Sequence, residues 1–118
     1  MDTSGKLRPI TNPLNSCLFE RDFDNVDRVF KMLSNLAENL TRTKVVKKGD
    51  IYWKGVCKSL VFRFTDDLEI LKIKNNYEIK SSRGTIQIRS ASRFGQSDLG
   101  VNQRRILTLL SKLDKFNY

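Results

Sequence analysis

Between Arg89 and Arg105 the chain reads RSASRFGQSDLGVNQRR, with four arginines, three serines, two glycines, one aspartate and one asparagine. Arginine forks, serine hydroxyls and free backbone amides at a helix start are groups that hold phosphate or carboxylate. The candidate ligand set is Arg89, Ser90, Ser92, Arg93, Asn102 and Arg105. The same residues suit a second purpose, because a long polar connection packed on a core must satisfy its own backbone groups. In that structural reading Arg93 pairs with Asp98 as a clasp, while Asn102 and Ser92 satisfy loop carbonyls. An anion pocket and a polar clasp both remain open at this point, the clasp slightly ahead.

The elements that position these residues follow from periodicity. Period two puts Ser90 and Ser92 on one side of a strand and Arg89 on the other. Gly95 and Gly100 allow a sharp turn, and Ser97 or Asp98 can cap the helix that follows. In that helix Asn102 and Arg105, three residues apart, share a face. Ile106, Leu109, Leu110, Leu113 and Phe116 form its apolar stripe, giving a helix over about 101–116.

A second helix, over about 24–40, carries Val26, Val29, Phe30, Leu33, Leu36, Ala37 and Leu40 at three- and four-residue intervals, with Asp24 as the expected N-cap. Residues 1–22 hold both prolines and read as an irregular arm, with a short strand around Cys17 to Phe19. Strands fill about 42–91. TRTKVVK and IYWKGVCK flank the turn KGD, LVFRF and LEILKI follow, and YEIK and TIQIRSA flank SSRG. The expectation is one α+β domain over 1–118, an antiparallel sheet of about five strands with two amphipathic helices on one face.

Charge and composition narrow the chemistry. The net charge is +9 over 118 residues. Residues 1–41 hold five Lys/Arg and six Asp/Glu, while 42–118 hold seventeen and seven, a net of +10 there. That field favours anionic partners. With no histidine in the chain, histidine triads and histidine bases are excluded. The two cysteines, Cys17 and Cys57, read as reduced, partly buried thiols, and neither a metal site nor a cofactor is expected. The start, MDTSGKLRPI, lacks an apolar signal core and no apolar run is long enough to span a membrane, so the expected location is cytoplasmic, with peripheral membrane contact left open.

The Arg89–Arg105 segment closely resembles the hallmark of the family called domain of unknown function 1499. That pattern is Arg-Ser-Ala-Ser-Arg-x-Gly-x-Ser-Asp-x-Gly-x-Asn-x-x-Arg. It is matched at Arg89, Ser90, Ala91, Ser92, Arg93, Gly95, Ser97, Asp98, Gly100, Asn102 and Arg105. FRFTDDLEI resembles the family's aromatic-x-Asp-Asp-hydrophobic-Glu segment at Asp66, Asp67 and Glu69, and LRPITNPLNSCLFE is similar to its Pro-rich, Asn-Cys start. The usual second upstream cysteine and the Val-Ser-Ser after the Asn-Cys pair are missing. The resemblance implies no reaction, since the family has no established activity.

Asp66 and Asp67, adjacent in a strand, point to opposite faces and cannot chelate together. Asp67 and Glu69 share a side and are expected to reach Arg63 or Arg89 as cross-strand ion pairs. Phe62 and Phe64 are expected in the core, with Trp53 as the aromatic that would stand at the surface. The functional expectation is a non-catalytic binding or accessory module for an acidic partner, protein or other anion. Its rivals are nucleic-acid binding and an enzyme of unrecognised type using the serines and carboxylates.

Overall fold

The computed structural model describes residues 5–58, 64–74 and 81–116. Its elements run β1 (Ser16–Phe23), α1 (Val26–Glu38), β2 (Thr43–Lys48), β3 (Tyr52–Lys58), β4 (Thr65–Lys74), β5 (Gly84–Ser92) and α2 (Val101–Leu113). The strands form a five-stranded sheet in the order β1-β5-β4-β3-β2, antiparallel at every pair. The α+β architecture is the expected one. Most of LVFRF and all of YEIK lie outside the described residues.

Both helices pack on the same sheet face. Val26, Val29, Phe30, Leu33 and Ala37 of α1 and Ile106, Leu109, Leu110 and Leu113 of α2 are buried against Leu68, Ile70, Ile86 and Ile88. The helix boundaries shift inward for local reasons. Ser82 O accepts from Val26 N, and Asn25 Oδ1 accepts from Arg28 N. Asn25, rather than Asp24, is therefore the cap, and Asp24 is left to face Arg83 at 3.4 Å. Phe116 lies beyond the end of α2 and is exposed.

The N-terminal region departs most from expectation. The short strand expected around Cys17 to Phe19 extends to eight residues, seven of them from the arm, and forms β1, an edge strand paired with β5 from Ser16↔Ala91 to Phe23↔Gly84. Cys17, Phe19 and Phe23 turn to the core, while Glu20 and Asp22 face away, a period-two pattern that charge at an edge disguises. Before β1, Leu7 and Arg8 lie on the sheet face opposite the helices. There Leu7 is buried, its N–H donates to Gln87 Oε1 at 2.8 Å, and Arg89 Nε donates to Arg8 O at 2.9 Å.

Trp53 is the other correction. It is fully buried on the helix face, with Nε1 3.4 Å from Glu38 Oε1. Gly55 makes that possible, since a Cβ there would stand 2.5 Å from Trp53 Cη2. A missing side chain on β3 leaves the volume that the indole fills.

Candidate functional site

The Arg89–Arg105 segment is divided by the sheet. On the helix face, Ser90 and Ser92 of β5 meet Asn102 and Arg105 of α2. Ser90 Oγ donates to Asn102 Oδ1 at 2.6 Å, and Arg105 Nη1 donates to Ser90 Oγ at 2.9 Å and to Asn102 Oδ1 at 2.8 Å. Asn102 Nδ2 donates to Ser92 Oγ, to Asp98 Oδ2 and to the carbonyl of Asn15, just before β1. Asn102 and Ser90 are fully buried. Four segments of chain are thereby tied by one asparagine.

Asp98 is a cap. Its Oδ1 accepts from Gly100 N at 2.7 Å and its Oδ2 from Asn102 N at 3.0 Å, so a carboxylate sits on the first free amides of α2. The chain reaches that position through two successive left-handed residues, Leu99 at φ 55° and Gly100 at φ 81°. The expected Arg93–Asp98 clasp is therefore replaced by other partners. Arg93 lies on the opposite face, where Nε and Nη2 donate to the two carboxylate oxygens of Asp67 at 3.0 and 2.9 Å. Geometry explains the exchange: Arg93 N donates to Thr65 O, which aligns Arg93 with β4, while Asp98 is turned onto its own helix.

Of the six candidate ligand residues, the structure brings together Ser90, Ser92, Asn102 and Arg105, and separates them from Arg89 and Arg93. Arg89, largely buried, lies 3.9 Å from Glu69 on the neighbouring strand, a cross-strand pair of the expected kind. Asp67 pairs with Arg93 and, at 3.9 Å, with Lys54. Arg63 is outside the described residues. Asp66 stands on the helix face, opposite to Asp67. It is 1% exposed, and Arg105 Nη2 lies 2.9 Å from its Oδ2. Although that distance makes an ion pair, the angles give neither carboxylate oxygen a directed hydrogen bond among the described residues. The alternation of Asp66 with Asp67 foretold opposite faces. Only the fold shows that α2 lies over one of them.

Burial pushes the thiols of Cys57 and Cys17 up, and Asp98 adds to the rise at Cys17. Both are free and resist forming thiolate. Tyr52 is pushed up as well, first by burial and then by its 2.7 Å hydrogen bond to Glu69 Oε2. No group of three or more His, Cys, Asp or Glu suited to a metal ion occurs among the described residues. None of the described helices is long and apolar enough to cross a membrane.

The pattern described as "Protein of unknown function (DUF1499)" matches residues 6–113. The chain belongs to the DUF1499 family. No curated protein matches it. Among solved structures, this DUF1499 domain is similar to an uncharacterised protein from Bacillus thuringiensis, with a TM-score of 0.55 at 9% identity over 85% of this chain and 93% of that one. It is also similar to a protein from Thermus thermophilus, TTHA0849, with a TM-score of 0.39 at 9% identity over 85% and 94% of the two chains. A third likeness is to the ZhuI aromatase/cyclase from Streptomyces sp. R1128, with a TM-score of 0.28 at 8% identity over 85% and 87%. The first is a likeness of fold alone, and the other two superpose too loosely to carry any argument.

Proposed function

We propose that this DUF1499 domain is a non-catalytic binding or accessory module that docks an acidic protein partner with its loop end. The observation that carries the reading is Leu99, an apolar side chain two-thirds exposed on a left-handed backbone. Such a conformation costs a non-glycine residue on the order of 1 kcal/mol. A glycine would relieve the strain and remove the exposed surface together, so the leucine makes sense where that surface is used.

Leu14 and Phe94, both strongly exposed, belong to the same loop end. Leu14 O accepts from Asp98 N at 2.9 Å, and Asn15 Nδ2 and Asn12 Nδ2 donate to the carbonyls of Gly95 and Gln96. These bonds, with the Asn102 network behind them, hold the loop end stiff, which lowers the entropic cost of binding. Arg93 and Arg104 are the exposed cations beside it, which favours an acidic face. In this reading the anion-attracting role expected of the loop is carried by Arg104 together with Arg93, which also holds Asp67, whereas Ser90, Ser92, Asn102 and Arg105 engage one another.

The nucleic-acid reading loses Trp53, the aromatic expected to stand at the surface, to burial. An enzyme built on Ser90 and Ser92 would need hydroxyls free to react, and theirs are engaged in the Asn102 network. The test is site-specific photo-crosslinking. A crosslinking amino acid replacing Phe94 should give discrete protein adducts in native lysate, lost with Leu99→Asp or Arg93→Glu although both variants melt normally. Adducts indifferent to both substitutions would refute the reading. Salt-resistant nanomolar binding to one oligonucleotide would put nucleic acid in its place.

A further inference from the structure

We infer that the cleft between α1 and the β2–β3 turn, remote from the loop end, is a second binding site, for a small organic anion. Its volume is about 640 Å³, and Phe30, Lys31, Ser34, Lys48 and Lys72 line it together with Asp27 and Asp50. That is room for a small molecule rather than a lone ion. Thr65, whose carbonyl takes the Arg93 amide, and Lys72 stand seven residues apart on β4, roughly 23 Å. The inference does not rest on the docking proposal.

Three observations converge. The charge of the cleft is positive and only partly neutralised. Asp27 alone serves two ammonium groups, Lys72 at 2.6 Å and Lys74 at 3.2 Å, and Lys31 has no ion-pair partner among the described residues. Lys48 is held by Glu38 at 2.9 Å but is largely exposed, so it can turn inward. Phe30, only 3% exposed, borders the cleft with Lys72 Nζ 5.6 Å from its ring centroid, and the methylene stems of the lysines add apolar surface beside the cations.

Ser34 is the third and most telling. The residue is 5% exposed, and its hydroxyl has no hydrogen-bond partner among the described residues. It occupies a position on the buried stripe of α1 that alanine would fill at no cost and with better helix propensity. An unpaired buried hydroxyl is destabilising. A ligand that enters and parts the cleft's side chains supplies the missing partner: its anionic head lies among Lys31, Lys48 and Lys72 within reach of the hydroxyl, and its apolar body lies along the lysine stems and the margin of Phe30.

The head group can be phosphate or carboxylate, and titration followed by amide NMR shifts separates them, using phenyl phosphate, benzoate and inorganic phosphate. The expected result is saturable shifts confined to residues 27–35 and 48–50 with phenyl phosphate or benzoate, the tighter of the two naming the head group. Lys31→Glu should weaken binding about tenfold or more, the loss of one good charge contact, while Lys115→Glu leaves it unchanged. Ser34→Ala should also weaken it, yet melt at the same temperature or higher, a combination that a purely structural serine would not give. Non-saturating shifts, equal losses in Lys31→Glu and Lys115→Glu, or a Ser34→Ala variant that binds as tightly as the parent would overturn the site. Inorganic phosphate binding as tightly as phenyl phosphate would overturn the organic body.

Discussion

Arg105 of α2 and Asp66 of β4 form a buried ion pair with Nη2 2.9 Å from Oδ2, in which the guanidinium's directed hydrogen bonds go to Ser90 and Asn102 instead. The pair is thus held by charge more than by hydrogen bonding, and each member depends on the other for compensation. Removing one alone strands a charge in the interior. Arg105→Met should cost about 3–5 kcal/mol, whereas Asp66→Leu combined with Arg105→Met should recover most of that loss. A denaturant double-mutant cycle that includes Asp66→Leu alone measures it, and single losses that simply add in the double variant would show that the pair is not coupled.

Asp98 and Arg93 should part company in stability. Asp98→Ala removes the cap of α2 and should cost about 1–2 kcal/mol. Arg93→Ala breaks an exposed pair with Asp67 and should leave the melting temperature nearly unchanged. If the two variants lose stability equally, the capping assignment is wrong.

Acid should act through Asp67. Burial pushes its carboxyl up, but the Arg93 hydrogen bonds and the charge of Lys54 outweigh that and hold it below the ordinary carboxylate range. A depressed folded value means the stabilisation is complete above the unfolded value of about 3.9 and is lost as pH falls through the folded one. Stability measured from pH 5 downward, over about the lowest two units of that titration, should fall less steeply in Asp67→Asn than in the parent. Matching slopes would remove Asp67 from the acid response.

Truncations on the two apolar stripes should be costly in the same way. Leu33→Ala and Leu110→Ala should each lose about 2–5 kcal/mol, and Leu107→Ala, on the exposed side of α2, should stay within about 0.5 kcal/mol. Chemical denaturation of the three variants distinguishes the faces.

The one tryptophan reports on its own burial. Trp53 emission should be blue-shifted and resistant to iodide in the folded protein, and should move red on unfolding. Iodide quenching of the native state comparable to that of the unfolded chain would return Trp53 to the surface.

The two stripes and the KGD hairpin were legible because each rests on local periodicity. So was the separation of Ser90 and Ser92 from Arg89, which follows from strand alternation alone. Trp53 was harder, since Tyr52, Lys54 and Val56 alternate with Trp53, Gly55 and Cys57, and both sets contain apolar residues. A vacancy at Gly55 decides between them, and it takes shape only against the folded indole. The partners of Arg93 and Arg105 depend on which face of β4 meets the loop and which meets α2, a relation spanning 26 residues in one case and 39 in the other. The Ser34 cleft needs the turn between β2 and β3 to stand beside α1, which no local pattern announces.

The pairing of β1 with β5 also sets an order of events during synthesis. Ser16–Phe23 leaves the ribosome early, but its hydrogen-bonding partner, Gly84–Ser92, is made last among the strands. Until then a nascent chain holds β1 with no strand neighbour, while β2, β3 and β4 can already zip together in sequence and cover part of the apolar stripe of α1. Closing the sheet is therefore a late, long-range step, and the slow one by the rule that distant contacts delay folding. The Asn15–Asn102 hydrogen bond fastens that closure from the outer end. Its place in the polar network makes the hallmark segment a latch for the residues that enter β1, engaged only once α2 has emerged.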